Sequence, residues 1–549
     1  MPTRPWRPAP SATSLSISHR LARGLTAFVL AAGMLASCAA RASTVHDPNT
    51  LISLVRTDGA TMNPLFSQTV EDALVYNALV FESLTYIGAD YLPHPLLATE
   101  WSHSPDGKEW TVELRHGVRW SDGQPLTSKD VVFSYEALSD PKTASINYGD
   151  LQAVKRVWAE GPYRVHFQLA GPNAEFVGAL MGTEAMILPE HILGKVAHDR
   201  LRFTGFGQHP IGTGPYVLQR WQHDSQIEFV RNPYAWRRAH IARIVIYTIF
   251  NDQSEMEALA NGSADLIDDL SSTQYRELER IAPHVALHTF GSVYIDLTTP
   301  NLRRPGLDDV VVRRAMMYGQ DRKAIVDGLY AGKVPVVDNL IPPALAHWYN
   351  PHVVKYAYDP AKARALLDAG GWRPGPDGVR RRGKTRLSFE LLLNQGSAIL
   401  TDEMLTVVAD MKDIGIDLRL RQLDFPSIVS REFEGNFDLA AEGFGGSTEP
   451  DLTSVLATQS FAPAGGNTTH FSNPEADRLM AAGVRELDDA KRRVIYDKLQ
   501  ELVAEQVPYF YQYGRFASVG SAQRVDFGPR GLLQSPLCYF DVEDWSLRP

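Results

Sequence analysis

Five consecutive segments decide the fold of this chain. They are Val80-Phe-Glu-Ser-Leu-Thr-Tyr86, Pro95-Leu-Leu-Ala-Thr-Glu-Trp101, Ser104-Pro-Asp-Gly-Lys-Glu-Trp-Thr-Val-Glu-Leu-Arg115, His116-Gly-Val-Arg-Trp-Ser-Asp-Gly123 and Gln124-Pro-Leu-Thr-Ser-Lys-Asp-Val-Val132. Asp106-Gly107 is a turn signal, and Thr111 to Arg115 alternates as a half-buried strand does. Thr127 with Asp130 three residues on forms a capping box, which predicts a helix through Tyr135. Strand, turn, strand and capped helix make one compact module.

Working outward, Tyr163 to Leu169 alternates strictly, with Val165, Phe167 and Leu169 on one face and His166 on the wet one. Pro210-Ile-Gly-Thr-Gly-Pro-Tyr216 leads into a hairpin, Tyr216 to Trp221 and Ile227 to Val230, closed by Asn232-Pro-Tyr-Ala-Trp236. Ile244 to Ile249 reads as a buried strand and Glu255 to Asn261 as a helix, so the chain is α/β in character. Phe290 to Thr298 and Pro508 to Tyr513 read as strands. Asp308 or Asp309 is expected to cap one helix running through Arg322 to a stop at Gly332. Asp359-Pro360 starts and Gly370 ends a further helix, before Gly371-Trp372. Leu391 to Asn394, a helix from Thr401 to Lys412, and Ile416 to Leu420 form a β-α-β unit, which implies parallel strands. Asn63 to Val80 shows helical periodicity. In the helix from Asp488 to Gln506, Val494, Leu499, Leu502 and Val503 are expected to face a core. Arg380 to Lys384 reads as a solvated hairpin.

A chain of 549 residues is too long for one ordinary core, so two to four domains are expected. Its apolar fraction of 44% and charged fraction of 21% are those of a globular protein. The N-terminus differs. Arg4, Arg7, Arg20 and Arg23 precede an apolar stretch, Leu25 to Leu35, too short to span a bilayer, and then Leu35-Ala-Ser-Cys38. That tetrapeptide matches a bacterial lipobox, in which Cys38 is acylated and residues 1–37 are removed. The removed segment holds four arginines and no acid, so the formal charge moves from -10 to -14. An acidic exported protein offers no electrostatic reason to hold nucleic acid. The second cysteine, Cys538, then stands without an intrachain partner.

Taken in order, these blocks together with Val312-Arg-Arg-Ala-Met-Met-Tyr-Gly-Gln-Asp-Arg322 resemble the family 5 extracellular solute-binding proteins, the peptide and nickel class that serves ABC importers. The resemblance implies a two-lobed periplasmic binding protein type II-like α/β fold with an extra inserted domain, of the cluster C type. It divides the chain into a signal peptide (1–37), a tether (38–50), a first lobe (51–80, 205–292 and 515–549), an inserted domain (81–204) and a second lobe (293–514). Phe290 to Thr298 and Pro508 to Tyr513 are then the two crossings between lobes. The implied function is capture of a peptide or peptide-like solute between lobes and delivery to a membrane permease with its ATPase. A ligand-sensing or chaperone-like lipoprotein of the same fold, or a non-peptide solute such as an opine, sugar or metal chelate, are the alternatives. The protein is expected to be periplasmic, lipid-anchored through Cys38 and monomeric.

In relatives a stretch late in the second lobe supplies much of the ligand contact. Here it is Ala440-Ala-Glu-Gly-Phe-Gly-Gly-Ser-Thr-Glu-Pro-Asp451, so Phe444, Gly446, Ser447, Glu449 and Asp451 are candidate ligand-binding residues. Peptide binders carry an Asp three residues before the acidic-Pro pair, where it can meet an α-ammonium. Gly446 stands there in this chain, so Glu442, Glu449 or Asp451 takes over or the ligand has no free amino terminus. Asn63, Tyr76, Asn394, Gln395 and Tyr511 complete the expected set. No catalytic residue, metal or cofactor is expected. HExxH, CxxC, GxSxG and Walker motifs are absent, Gly205-Phe-Gly207 lacks the third glycine of a dinucleotide loop, and Pro141 breaks Ser139-Asp-Pro-Lys142 as a catalytic pair. His191 and His198 are seven residues apart, unlike a ligand pair on one helix.

Overall fold

A computed structural model describes residues 47–68, 75–148, 151, 153–179, 185–330, 332–445, 447–532 and 537–548. Cys38 with its lipobox, and Gly446, lie outside the described residues.

The opening module forms as its residues dictate. Strands β1 (Thr50–Val55), β2 (Ala98–His103) and β3 (Glu109–Leu114) come first. Gly107, at φ +66°, turns β2 into β3. Helix α1 (Ser128–Ser139) opens on the Thr127–Asp130 box, where the Thr127 backbone N–H donates to the Asp130 carboxylate at 2.8 Å. Strands β4 (Val154–Ala159) and β5 (Arg164–Leu169) complete a four-stranded antiparallel sheet in the order β2-β3-β5-β4. Val165, Phe167 and Leu169 are buried, whereas His166 on the other face donates through Nε2 to the Glu160 carboxylate.

The blocks around this module converge in space. Gly214 N–H donates to the Val80 carbonyl at 2.8 Å, and Ser121 N–H donates to that of Gly212 at 2.9 Å. A Cβ at Gly212 would stand 1.8 Å from the Val80 carbonyl oxygen, so this close backbone approach requires glycine. Trp236 Nε1 and Arg237 both donate to buried Glu82. These blocks are one interface seen as separate stretches of sequence.

The hairpin β6 (Tyr216–Gln222) and β7 (Gln226–Arg231) leads to β8 (Arg243–Thr248), which pairs parallel to β1. Helix α2 (Asp252–Ala260), the short β9 (Leu266–Ile267) and α3 (Ser272–Ile281) follow. The longest strand, β10 (Ala286–Pro300), precedes α4 (Val310–Gly319) and α5 (Arg322–Tyr330). The single helix expected here is two. The chain turns extended at Gln320, and Asp321 caps the second piece by accepting from Ala324 N–H at 2.9 Å. Arg322 is thereby pointed inward, to Asp338 at 2.8 Å and the Val337 and Tyr356 carbonyls, both at 2.6 Å. Asp309 does cap α4, and Asp359, Pro360 and Gly370 bound α6 (Pro360–Ala369). Arg380 to Lys384 is a hairpin, but Arg380 itself is buried on the Ile414 and Trp372 carbonyls.

The expected β-α-β unit is β11 (Ser388–Asn394), α7 (Ala398–Asp413) and β12 (Asp417–Leu423), with parallel strands. Then come α8 (Phe425–Phe433), β13 (Leu439–Gly445), α9 (Pro474–Arg485), α10 (Asp489–Gln506) and β14 (Phe510–Ser521). In α10, Leu499 and Val503 are buried but Val494 is exposed, because the inward stripe runs Arg492, Tyr496, Leu499 and Val503. From Asn63 to Val80 the described helical residues run from 75 to 80, α-helical over Asn77–Val80, while residues 69–74 lie outside the described ones; Asn63 starts a turn, its carbonyl accepting from Phe66 N–H.

Among the described residues ten strands form one sheet, ordered β12-β11-β13-β10-β14-β9-β1-β8-β7-β6. Its two central strands are shared between halves. The start of β10 pairs with the end of β14, from Ala286 opposite Ser521 to Gly291 opposite Phe516, and Gly520 and Ser521 also pair with β9. From Tyr294 onward β10 pairs with β13 as well, and its register with β14 shifts between Gly291 and Ile295. Two separate large cores lie on either side of that shift. One joins Leu51, Tyr76 and Ile244 to Phe167 of β5 and to Trp120 in the loop between β3 and α1, and the other contains Ile295, Leu391, Met411 and Tyr511. This is a two-lobed fold whose inserted domain packs onto the first lobe. Among the described residues no helix is long and apolar enough to cross a membrane.

Candidate functional site

Where the central strands pass from one lobe to the other, a cavity of about 590 Å³ opens, a volume suited to a small solute. Asp269 to Ser271 ahead of α3, with Ser272 at its start, line one side, and β10, α5, β11, α7, α8, β13 and β14 contribute most of the rest. Asn394, at the carboxyl end of β11, lines it, as expected where ligands sit in open α/β sheets. Gly396 at φ +91° then turns the chain so that Ser397 caps α7, and the first turns of α7 bring Ile399, Leu400 and Glu403 to the wall.

Charge on the floor is arranged across the crossing strands. Asp296 of β10 and Arg515 of β14 form a two-point pair, with Arg515 Nε and Nη2 donating at 2.8 and 2.6 Å. Gly443 of β13 makes room for it, since a Cβ there would lie 2.7 Å from Arg515 Nη2. Gly445 leaves the same kind of space for the Tyr294 ring. The Tyr513 hydroxyl donates to Glu403 at 2.6 Å and lies 2.5 Å from the Tyr330 hydroxyl. Burial pushes the Glu403 carboxyl up to about 8, against the lowering effect of the Tyr513 hydrogen bond, so at neutral pH it holds its proton. Glu442, beside Gly443, is raised by burial too, countered by a hydrogen bond from Thr299. Behind it Glu432 is raised by burial and by the Glu442 charge, so the two carboxyls hold a proton between them.

Of the residues expected to bind ligand, Asn394 lies on this wall; Gly446 lies outside the described residues, and the remaining ones do not line the cavity in this structure. Tyr511 is fully buried in the second core, whereas Tyr513, two residues on, is the one at the wall; the register of β14 against β10 slips at Asp296, between the two tyrosines. Tyr76 is fully buried against Trp221 and Phe229 in the first core. Asn63 is buried, accepting from Leu65 N–H. Gln395 is exposed one position beyond Asn394. Phe444 packs against the second core between Gly443 and Gly445, and exposed Ser447 accepts from Glu449 N–H. Glu449 is held by Arg492 at 2.8 Å, and Asp451 accepts from Thr453. Lining residues that sequence reasoning did not name include Tyr294, Asp296, Tyr330, Glu403, Tyr513 and Arg515. Their signal was a charge in mid-strand, as at Asp296, or on the inward stripe of a helix, as at Glu403 one residue before buried Met404.

Residues 93–466 match the family model "Bacterial extracellular solute-binding proteins, family 5 Middle". The chain belongs to this family. Among curated family relatives, Protein XP55 of Streptomyces lividans is 29% identical over 517 residues, covering 91% of this chain and 90% of that one. The oligopeptide-binding protein AppA of Bacillus subtilis is 26% identical over 451 residues, covering 80% and 81%. The solved structure of that AppA with a nonapeptide superposes with a TM-score of 0.72 at 23% identity, covering 91% of this chain and 99% of that chain. HbpA2 from Haemophilus parasuis gives 0.80 at 24% identity, covering 91% and 100%.

Proposed function

We propose that this protein is the substrate-binding component of an ABC importer, which captures a peptide or peptide-like solute between its lobes and presents it to a membrane permease. The observation that carries this reading is the cavity at the two crossing strands, bounded by residues of both lobes. Domain closure about those strands shifts the population toward a closed form when a solute bridges the lobes. Asn394, Glu403, Asp296, Arg515, Tyr294 and Tyr513 are the contacts. The reading includes the lobe boundaries stated for the sequence, a lipid on Cys38 as the anchor, a monomeric state and an absence of catalysis. In support, AppA is named an oligopeptide-binding protein and DdpA of Escherichia coli a probable D,D-dipeptide-binding periplasmic protein.

The test is native mass spectrometry of the purified protein, followed by small-angle scattering with and without the solute identified. A retained peptide and a smaller radius of gyration on rebinding are expected. A broad peptide library that leaves scattering and melting temperature unchanged would remove the proposal. Metabolic labelling with a radioactive fatty acid should mark the wild type and not Cys38→Ser.

A further inference from the structure

Resting on the reading above, we infer that this cavity selects a solute bearing a positive charge, and that Glu403, with Glu442 on the same lining, receives that charge.

The lining carries four carboxyl groups, Asp269, Asp296, Glu403 and Glu442, and among the described residues one cation, Arg515. That cation is engaged by Asp296 at two points, 2.8 and 2.6 Å. An acidic solute has no second arginine or lysine to meet on this wall, and it would have to compete with a two-point pair. A cation meets the opposite situation. Glu403 is 1% exposed yet lines the wall, with a tyrosine hydroxyl as its hydrogen-bond donor and no salt bridge to it among the described residues; the Arg515 charge reaches it only while engaged by Asp296. Ionising a buried carboxyl without a partner is costly, and an entering ammonium or guanidinium removes that cost by supplying one. The aromatic faces of Tyr294, Phe425 and Phe516 add surfaces on which a cation is favoured.

Binding should also move a proton. Facing Glu403 are Tyr513 and Arg515 of β14, Asp296 of β10 and Tyr330 of α5. Burial keeps the carboxyl protonated at neutral pH before a solute enters. A cation placed against it favours the ionised form, so binding releases a proton to solvent.

The test is calorimetric titration of the purified protein with the tripeptides Ala-Lys-Ala, Ala-Gln-Ala and Ala-Glu-Ala, each with a free and an acetylated amino terminus. The inference expects the lysyl peptide to bind at least about tenfold more tightly than the glutamyl one, a gap that a single desolvated ion pair supplies. Titrations at pH 7 in two buffers of different ionisation enthalpy should show proton release with the lysyl peptide. Glu403→Gln, which keeps the Tyr513 hydrogen bond, should abolish both the preference and the release, and Glu442→Gln should reduce the preference. Equal affinity across the three peptides, or tighter binding of the glutamyl one, overturns this inference and leaves the peptide reading standing. Failure of all six peptides to bind the wild type counts against both.

Discussion

Replacing Glu403 by glutamine in the solute-free protein should raise stability, and by an amount that grows with pH. Glutamine keeps the volume and can still accept the Tyr513 hydroxyl bond, so packing on the cavity floor is preserved. What changes is the proton. The folded-state pKa of Glu403 is raised from 4.5 to about 8, so the folded protein binds a proton more tightly than the unfolded chain does. Wild-type stability from this group is therefore fully present below pH 4.5 and is lost as pH rises through about 8. A tenfold difference in proton affinity between the folded and unfolded states corresponds to roughly 1.4 kcal/mol, so the loss reaches about 3 kcal/mol at pH 7 and approaches ~5 kcal/mol above pH 9. Urea unfolding of both proteins at pH 5, 7 and 9 measures it. The stability difference should be small at pH 5 and widen with each step. Parallel pH profiles would show that Glu403 is ionised before any solute binds, and would remove the reasoning that links its burial to cation recognition.

Other consequences concern the supports of the site. Arg492 ties α10 to the segments around Glu175 and Glu449: it meets Glu175 at 3.1 Å and Glu449 at 2.8 Å and stacks 4.8 Å over Trp348. Arg492→Met leaves three clustered carboxyls, Glu175, Glu449 and Asp451, without a cation, and should cost about 3–5 kcal/mol by urea unfolding at pH 8. Because burial and those neighbours already raise Glu175, the cost should shrink toward pH 5, where the cluster takes up protons. Gly212→Ala drives a methyl into the Val80 carbonyl and should lower soluble yield and melting temperature, whereas the same change at exposed Gly117, where no atom lies within 4 Å, meets only its φ of +77°. Asp309→Ala removes the α4 cap and acceptors for Trp372 Nε1 and Arg382, and should destabilise by roughly 1–2 kcal/mol without altering solute affinity.

Much of the architecture is legible because local rules suffice for it. The Thr127–Asp130 box, the Gly107 turn, the Asp359-Pro360 start and the alternation from Val165 to Leu169 each depend on neighbours within a few residues, and each forms as read. The family blocks were legible for a different reason. Val80, Gly212, Gly214 and Trp236 meet at one crowded junction, where a Cβ or a lost hydrogen bond is expensive, so the residue types there are constrained.

The chain of amino acids alone determined the α/β class, the two crossing strands, the order of the blocks and hence the family. Tertiary structure decided which side chains on those strands face the cavity. Tyr511 and Tyr513 share a face of β14 by simple alternation, yet one is sealed in the second core and the other lies at the wall. Register shifts between β10 and β14, one from Gly291 to Ile295 and another at Asp296, break that alternation where the lobes meet. Pairing between residues more than 200 positions apart, such as Asp296 with Arg515, is invisible to any local pattern. Only the folded sheet brings that pair to face Glu403 across the cavity.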